Sequence, residues 1–397
     1  MTGSTNRALM FVAIAATFAV TMMGTTLPTP LYPIYQAEMG FSQLMITVIF
    51  AVYAVGVIAA LIVTGAWSDQ IGRRPMLALG LALSAMSAVC FLLADGLWPL
   101  LAGRLLSGFS AGIFTGTATV AVVEMAPRVW KPQATFIATA ANMGGLGFGP
   151  FLAGVLAEYL AWPLRLSFGV DLAAIALACI AVVLAPETAE RPAHPRLSIR
   201  RPSVPPEVIG VFVPASIAGF AGFAVMGLFT AVAPAVMHDI LGHDNHALTG
   251  AVVFGVFIGS ISGQGLQGRL PEAARLPAGC GGLILGMAGV IAAIATASLF
   301  WLVAGGLVAG AGQGAAFRAG MGAITAASPP RRRAEVASSF FVVAYVAISI
   351  PVVGLGAMAA RYGLVTAGIS FAAMVAVLAL VSALILLARQ RRYGVGV

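Results

Sequence analysis

The sequence predicts an all-α membrane protein with twelve transmembrane helices in two pseudo-symmetric six-helix bundles. Three observations predict this class. Hydrophobic residues make up 60% of the 397 residues and charged residues only 9%, against about 25% charged in a soluble domain. Apolar runs long enough to cross a bilayer recur twelve times, and the second half of the chain repeats the first.

Each predicted helix is an apolar run of about 20 residues, the length that spans a bilayer. The first run ends at Pro28 and Pro30; it is longer than a signal-peptide core and lacks a small-residue cleavage site. The runs lie near residues 8–30, 42–66, 75–94, 97–124, 134–160, 165–185, 208–236, 247–267, 277–297, 299–326, 335–359 and 364–388.

Basic residues fall in alternate connections and at the termini, whereas the opposite connections contain only Arg165 and Arg361. This positive-inside pattern predicts a multi-pass protein of the cytoplasmic (inner) membrane with both termini in the cytoplasm. The net charge of +8 is therefore explained by membrane topology, and it does not indicate binding to nucleic acid. The basic residues are Arg7, Arg73, Arg74, Arg128, Lys131, Arg191, Arg196, Arg200, Arg201, Arg269, Arg275, Arg331, Arg332, Arg333, Arg389, Arg391 and Arg392.

The two halves match when the chain is shifted by about 202 residues. Gly108 and Gly112 then align with Gly310 and Gly314. Two similarly oriented halves predict a parallel repeat with a substrate site near the midplane. We expect an N-terminal bundle at 1–185, a cytoplasmic linker at 186–206 rich in proline and arginine, and a C-terminal bundle at 207–397.

A polar turn interrupts the apolar sequence between the second and third runs. It contains Gly65, Asp69, Gly72, Arg73 and Arg74 in the pattern G-x-x-x-D-x-x-G-R-R. This pattern resembles the loop between the second and third helices of the major facilitator superfamily. The resemblance implies a secondary transporter of the twelve-helix drug:proton antiporter group, in which this turn closes the cytoplasmic side. The alternative is a surface ion pair that only marks topology.

Glu124, at the inner end of the fourth helix, resembles the third member of the family's charge relay with Asp69 and Arg73. The matching turn of the second half has Gly268 and Glu272 but no paired arginines after them. The cytoplasmic gate is therefore expected to be asymmetric.

Arg104 begins an R-x-x-x-G segment with Gly108 inside the fourth helix. A charge within the bilayer costs several kcal/mol unless it faces a cavity or a partner. A similar arginine in the family is linked to proton coupling or to substrate charge. The alternative is that Arg104 extends to the outer surface, about 10 Å away.

Glycines recur in the fifth helix at Gly145, Gly149 and Gly154, with Pro150 between them. Small residues at this spacing allow two helices to touch at the backbone. The segment resembles the antiporter signature of the superfamily, which implies export, although Ala153 replaces a common glycine. Ordinary helix packing is the alternative.

Asp171 is the clearest carboxylate within an apolar run, and with Glu124 and Arg104 it is a candidate for proton coupling. A solvated residue near the outer end of the sixth helix is the alternative. The first helix lacks the acid that many multidrug members carry there. The only coupling partner expected is the proton, with no other cofactor.

Weakly polar and aromatic residues in several helices are candidates for the substrate cavity. With two arginines inside and few acids, a neutral or anionic amphiphile fits at least as well as a cation. The candidates are Met22, Tyr32, Tyr35, Tyr53, Arg104, Asn142, Met226, Phe229, Gln313, Phe317, Arg318 and Tyr345.

Other functions are less well supported by the residues. A proton-coupled importer of a small acid or sugar on the same fold is the main alternative. A membrane-embedded enzyme would need a convergent catalytic group or a nucleotide-binding loop, and neither pattern occurs. A channel assembled as a ring is not needed by a duplicated chain, so a monomer is expected. The histidines and cysteines show no metal-ligand spacing.

Overall fold

The computed structural model describes residues 2–190, 192, 197, 199 and 202–393, with backbone only at 2–6 and 390–393. Arg191, Arg196, Arg200 and Arg201 of the expected linker, and His194, lie outside the described residues, as do the side chains of Arg391 and Arg392. Twelve long helices occupy most of the described chain. They are α1 Thr2–Thr26, α2 Gln43–Thr64, α3 Arg73–Leu92, α4 Leu97–Met125, α5 Ala134–Tyr159, α6 Pro163–Leu184, α7 Pro206–Ala231, α8 His246–Leu266, α9 Glu272–Thr296, α10 Leu299–Ala327, α11 Arg333–Tyr362 and α12 Leu364–Tyr393.

All twelve helices are long and apolar enough to cross a membrane, and no strand occurs in the described part of the chain. The predicted fold class is therefore confirmed. The largest differences in bounds are at α1, which spans Thr2–Thr26 rather than 8–30, and at α7, which ends at Ala231 rather than at 236. Pro234, which has no N–H to donate, lies three residues after that end, and a short turn of π-helix at Val236–Ile240 continues the chain.

The helices form two compact units. Unit 1 contains the residues up to Gly40, those from Val52 to the linker, and His246–Gly250. Unit 2 contains Phe41–Ala51, Pro202–Asn245 and the residues from Ala251 onward.

The sequence repeat reappears as a repeat of helix neighbours. In unit 1, α1 packs against α4, α5 and α6, and α3 packs against α4 and α6. In unit 2, α7 packs against α10, α11 and α12, and α9 packs against α10 and α12. Each half thus builds the same arrangement around its first helix.

The repeated glycines lie where two backbones touch. A Cβ on Gly108 would meet the Tyr53 carbonyl of α2, and one on Gly310 would meet the Val256 carbonyl of α8. Gly112 and Gly314 make the equivalent approaches one turn later, to Val57 and Ser260. These glycines are required because a neighbouring main chain cannot move aside as a side chain can.

Replacing Gly108 or Gly310 with alanine is expected to lower the free energy of unfolding by about 1–3 kcal/mol, because each methyl would enter a backbone contact. Gly116→Ala is the matched control on α4, since nothing lies within 4 Å of its Cβ position. Thermal unfolding in detergent measures the difference. Equal unfolding temperatures for Gly108→Ala and Gly116→Ala would contradict the packing role.

Candidate functional site

The turn between α2 and α3 is a short helix, Trp67–Ile71, followed by one glycine in a special conformation. Gly65 lies in the bend that precedes this helix. Gly72 has φ 108° and ψ 160°, a region that residues with a Cβ rarely enter. The turn therefore depends on Gly72 to bring Arg73 back over Asp69.

Arg73 is the centre of the turn and is only 7% exposed. Its Nη1 donates to Asp69 Oδ1 at 2.6 Å and to Ser68 Oγ at 2.8 Å. Its Nε and Nη2 donate to the two carboxylate oxygens of Glu124 at 3.3 and 3.1 Å. The structure thus brings together Asp69, Arg73 and Glu124, and charge-assisted bonds hold the guanidinium from two sides.

The same turn holds two residues that the sequence reasoning missed. Glu187, just after α6, accepts the backbone N–H of Arg73 at 2.8 Å and that of Arg74 at 3.2 Å. Thr188 Oγ1 donates to Glu124 Oε2 at 2.5 Å. The only available signal was an acid directly after a helix, which does not reveal which unpaired N–H groups it will cap. Residues 187–188 therefore fasten the start of the linker to the turn.

Arg74 points away from this network. Its Nη2 donates to the Val183 carbonyl of α6 at 2.6 Å, in an exposed position. Arg73 and Arg74 are therefore not equivalent: the first is enclosed by carboxylates, and the second binds the end of α6.

Arg104 is buried within unit 1, at 2% exposure. Its Nη1 donates to the Thr25 carbonyl of α1 at 2.5 Å, and its guanidinium carbon lies 4.7 Å from the centre of the Tyr53 ring. Arg104 therefore does not extend to the surface. It binds the last turn of α1 and the aromatic face of α2.

Asp171 is equally buried, at 2% exposure, and so is not a solvated residue at a helix end. Its carboxylate lies directly over Gly24 of α1, and its Oδ1 has no hydrogen-bond partner among the described residues. Arg104 and Asp171 thus contact consecutive residues of α1, Thr25 and Gly24. A buried carboxylate oxygen with unused acceptor capacity is positioned to take a proton or a donor group.

Two tyrosines follow α1, past the break at Pro28 and Pro30. Tyr32 is 3% exposed and Tyr35 1% exposed, and neither hydroxyl has a hydrogen-bond partner in the described chain. Both belong to unit 1, as do Arg104 and Asp171. Buried hydroxyls of this kind are open to a bound molecule or water.

The glycines of α5 pack on two different elements of unit 1. A Cβ on Gly145 would come within 2.9 Å of Met22 Cβ, and one on Gly149 within 2.6 Å of Thr26 Oγ1. The Thr26 hydroxyl also donates a hydrogen bond to the Leu146 carbonyl at 2.8 Å. Near the other end of α5, Gly154 approaches His246, and the Pro150 carbonyl approaches Gly250. The α5 helix is continuous through Pro150.

The polar candidates of unit 2 are joined through α8. Ser260 Oγ donates to Gln313 Oε1 at 2.7 Å, and Arg318 Nη1 donates to the Gln264 carbonyl at 2.6 Å. Gln313 is 1% exposed, whereas Arg318 is exposed. Arg318 therefore has a partner while its charge faces open space.

Aromatic contacts join Phe317 and Tyr345 through Phe223, which the sequence reasoning missed. The ring centres of Phe317 and Tyr345 lie 5.6 and 6.2 Å from that of Phe223. Phe223 lies one turn before Met226 on α7, and this spacing was the available signal. The other candidates are Met22, Met226 and Phe229, all buried, and Asn142, whose Oδ1 has no hydrogen-bond partner in the described chain.

Among the histidines near α8, the His238 side chain contacts two carboxylates. His238 Nδ1 lies 2.6 Å from Asp239 Oδ1, and its Nε2 lies 3.4 Å from Asp244 Oδ1. The hydrogen bond to Asp239 raises the pKa of His238 above its usual value, with desolvation acting in the opposite direction. The part of the chain that the structure describes contains no cluster of His, Cys, Asp and Glu residues able to hold a metal ion.

Residues 14–350 match the family model described as Major Facilitator Superfamily. This match covers most of the chain, so the chain belongs to the major facilitator superfamily. With twelve helices long and apolar enough to cross a membrane, it is a multi-pass membrane protein of this superfamily.

The curated relatives include resistance proteins. The tetracycline resistance protein, class D, of Salmonella ordonez is 35% identical over 112 residues, 28% of each chain. Multidrug resistance protein 1 of Bacillus subtilis is 27% identical over 172 residues, 43% of each chain. This chain spans less than half the length of each of these relatives.

Solved structures match over nearly the whole chain. A bacterial homologue of the human lysosomal transporter Spinster, in an inward-facing and unoccupied conformation, has a TM-score of 0.72 at 17% identity over 97% of both chains. A POT family transporter in complex with a thioalcohol-conjugated peptide has a TM-score of 0.73 at 16% identity, over 96% of this chain and 95% of that one. At these identities the likeness is one of fold.

Removing the Glu187 carboxylate is expected to release the first two amides of α3. Glu187→Ala should speed hydrogen exchange at Arg73 and Arg74 and cost about 0.5–2 kcal/mol, as loss of a helix cap does. Glu190→Ala, an exposed acid of the same segment, is the control. Unchanged exchange in Glu187→Ala would contradict the cap.

Proposed function

We propose that this protein is a secondary transporter that exports small organic amphiphiles, drugs or metabolites, in exchange for protons by alternating access. The observation that carries the proposal is that Arg104 of α4 and Asp171 of α6 contact neighbouring residues of α1. Both are 2% exposed, they contact Thr25 and Gly24, and Asp171 Oδ1 has unused acceptor capacity.

A buried carboxylate and a buried guanidinium that contact the same turn of α1 suit proton coupling for an electrostatic reason. A buried carboxylate favours its neutral form, whereas a nearby guanidinium or entering water favours its charged form. Small movements of α1 relative to Asp171 or Arg104 would change both influences. Asp171 is therefore the leading proton carrier, with Glu124 as the second candidate.

Export is supported by two independent features. The relatives at 35% and 27% identity are resistance proteins. The glycines of α5 that resemble the antiporter signature pack against Met22 and Thr26 of α1, on the same segment that Arg104 and Asp171 contact. Movement of α5 and the charge states of Arg104 and Asp171 would then be linked through α1.

The Arg73 network is proposed as the cytoplasmic gate, in an inner-membrane protein with both termini in the cytoplasm. Asp69, Ser68 and Glu124 hold one guanidinium, so removing any acid leaves a buried cation short of partners. If the network is complete in the closed state and broken in the open state, its hydrogen bonds stabilise the closed state.

The substrate is proposed to be neutral or anionic. Arg104 and Arg318 are the basic residues well inside the predicted spans, and Asp171 is the comparably deep acid. Like charges repel strongly at low dielectric, so a permanent cation is disfavoured. The aromatic contacts of Phe317 and Tyr345 with Phe223 offer an apolar surface for such a molecule.

Transport in proteoliposomes tests the function and the substrate class together. With an imposed pH gradient, the purified protein is expected to move Nile red (neutral) and anilinonaphthalene sulfonate (anionic) in exchange for protons, and ethidium poorly. Asp171→Asn should reduce this flux to less than about a tenth, because it removes the transferable proton.

Three results would contradict parts of this proposal. Full proton-coupled flux in both Asp171→Asn and Glu124→Gln would show that the carriers are wrong. Accumulation of the probe along the proton gradient would favour the importer. Robust ethidium efflux that Asp171→Asn abolishes would restore a cation as substrate.

The gate has its own test in cells. Asp69→Asn is expected to lower efflux at least about tenfold, because Arg73 loses a 2.6 Å charged partner, while the amount of protein in the membrane stays near wild type. Asp95→Asn, a substitution in the connection between α3 and α4, is the control. Unchanged efflux in Asp69→Asn would exclude a gating role.

A further inference from the structure

Gly24 of α1 faces the side chain of Asp171. A Cβ placed on Gly24 would lie 2.7 Å from Oδ2, 3.1 Å from Oδ1 and 3.2 Å from Cγ of Asp171. All three nearest atoms belong to the same carboxylate. Any side chain at position 24 would therefore compete with the Asp171 carboxylate for the same space.

Some glycines of unit 1 also face side chains, such as Gly80 and Gly103, but those side chains are apolar. Gly56, Gly108 and Gly145 face the main chain of a neighbouring helix, and Gly116 and Gly169 face open space. The main-chain contacts permit helices to pack, and the open positions have no local steric role. Gly24 instead makes room for a charged side chain from α6.

The position of the carboxylate needs such an explanation. Asp171 is 2% exposed, and its Oδ1 accepts no hydrogen bond from the described residues, so a bond to that oxygen does not hold it in place. A buried charge without such a bond is costly. The absent side chain of Gly24 is what allows the carboxylate to reach α1, next to the Thr25 carbonyl that Arg104 binds at 2.5 Å.

We infer that Gly24 is a positioning residue for Asp171, so that the carboxylate used in coupling is carried by α6 but occupies the side-chain position of residue 24 on α1. The significance of the carboxylate for coupling rests on the proposed function. The contact itself is independent of that function.

A double-mutant cycle tests the contact without any substrate. Thermal unfolding of the full chain in detergent is measured for Gly24→Ala, Asp171→Ala and the double variant. Gly24→Ala alone should lower the unfolding temperature by about 3 °C or more, and by clearly less when residue 171 is alanine, because the carboxylate is gone. Gly169→Ala, with open space around it, should show no such coupling. Equal losses in both backgrounds would overturn the inference.

Moving the carboxylate tests its role. Asp171→Ala should lower pH-gradient-driven flux of Nile red to less than about a tenth, and adding Gly24→Asp should return it to within about threefold of wild type, as expected when a transferable proton is restored near its original place. Gly24→Asn with Asp171→Ala fills the same space without a titratable group and should stay inactive.

The outcomes separate the inference from the proposed function. An inactive but normally inserted Gly24→Asp, Asp171→Ala variant would overturn the shared position of the carboxylate. If the wild-type protein shows no gradient-driven flux with neutral, anionic or cationic probes, the proposed function fails, and the unfolding cycle alone decides the role of Gly24.

Discussion

The structure depends on one constraint: a charge inside the hydrocarbon must find its partners within the protein, because no water is there to solvate it. In unit 1 this constraint acts on the last turn of α1. Arg104 binds the Thr25 carbonyl, Asp171 lies over Gly24, and the glycines of α5 pack against Met22 and Thr26. The segment Met22–Thr26 thus contacts three other helices, and a displacement of this turn would alter all of these contacts.

The two charged centres of unit 1 differ in how completely they are satisfied. Arg73 has Asp69, Ser68 and both oxygens of Glu124 as acceptors, which suits a structure that is either intact or broken. Asp171 retains an acceptor atom without a hydrogen-bond partner in the described chain, which suits a site that gains and loses a proton. The guanidinium of the proposed gate therefore has several hydrogen-bond acceptors, whereas the carboxylate of the proposed coupling site keeps an oxygen that accepts no hydrogen bond from the described chain.

The repeat preserves the scaffold and not the charges. Gly108 and Gly310 make the same close backbone crossing in the two units, since this crossing is needed wherever the fourth helix of a half meets the second. Arg104, however, aligns with Gly306, and the second half has no arginine pair after Glu272. Packing demands are the same in both halves, whereas the chemistry has been placed mainly in the first.

The sequence by itself determined the class, the number and approximate bounds of the helices, and the local part of the turn. A helix in lipid satisfies its own backbone and has a length set by the bilayer, so hydropathy is sufficient to find it. Asp69 and Arg73 lie four residues apart, so their pairing was also foreseeable. Contacts that depend on how the helices pack could not be foreseen from the sequence.

Only the tertiary structure placed Asp171 over Gly24, Glu187 on the amides of Arg73 and Arg74, and Phe223 between Phe317 and Tyr345. In each case the partners come from different helices or connections. The sequence shows that a glycine or an unpaired N–H is present, but it does not show which residue will contact it. The rotation of each helix about its axis decides these contacts. That rotation is set by close packing against several neighbours at once, which a single sequence of similar apolar residues does not encode in readable form.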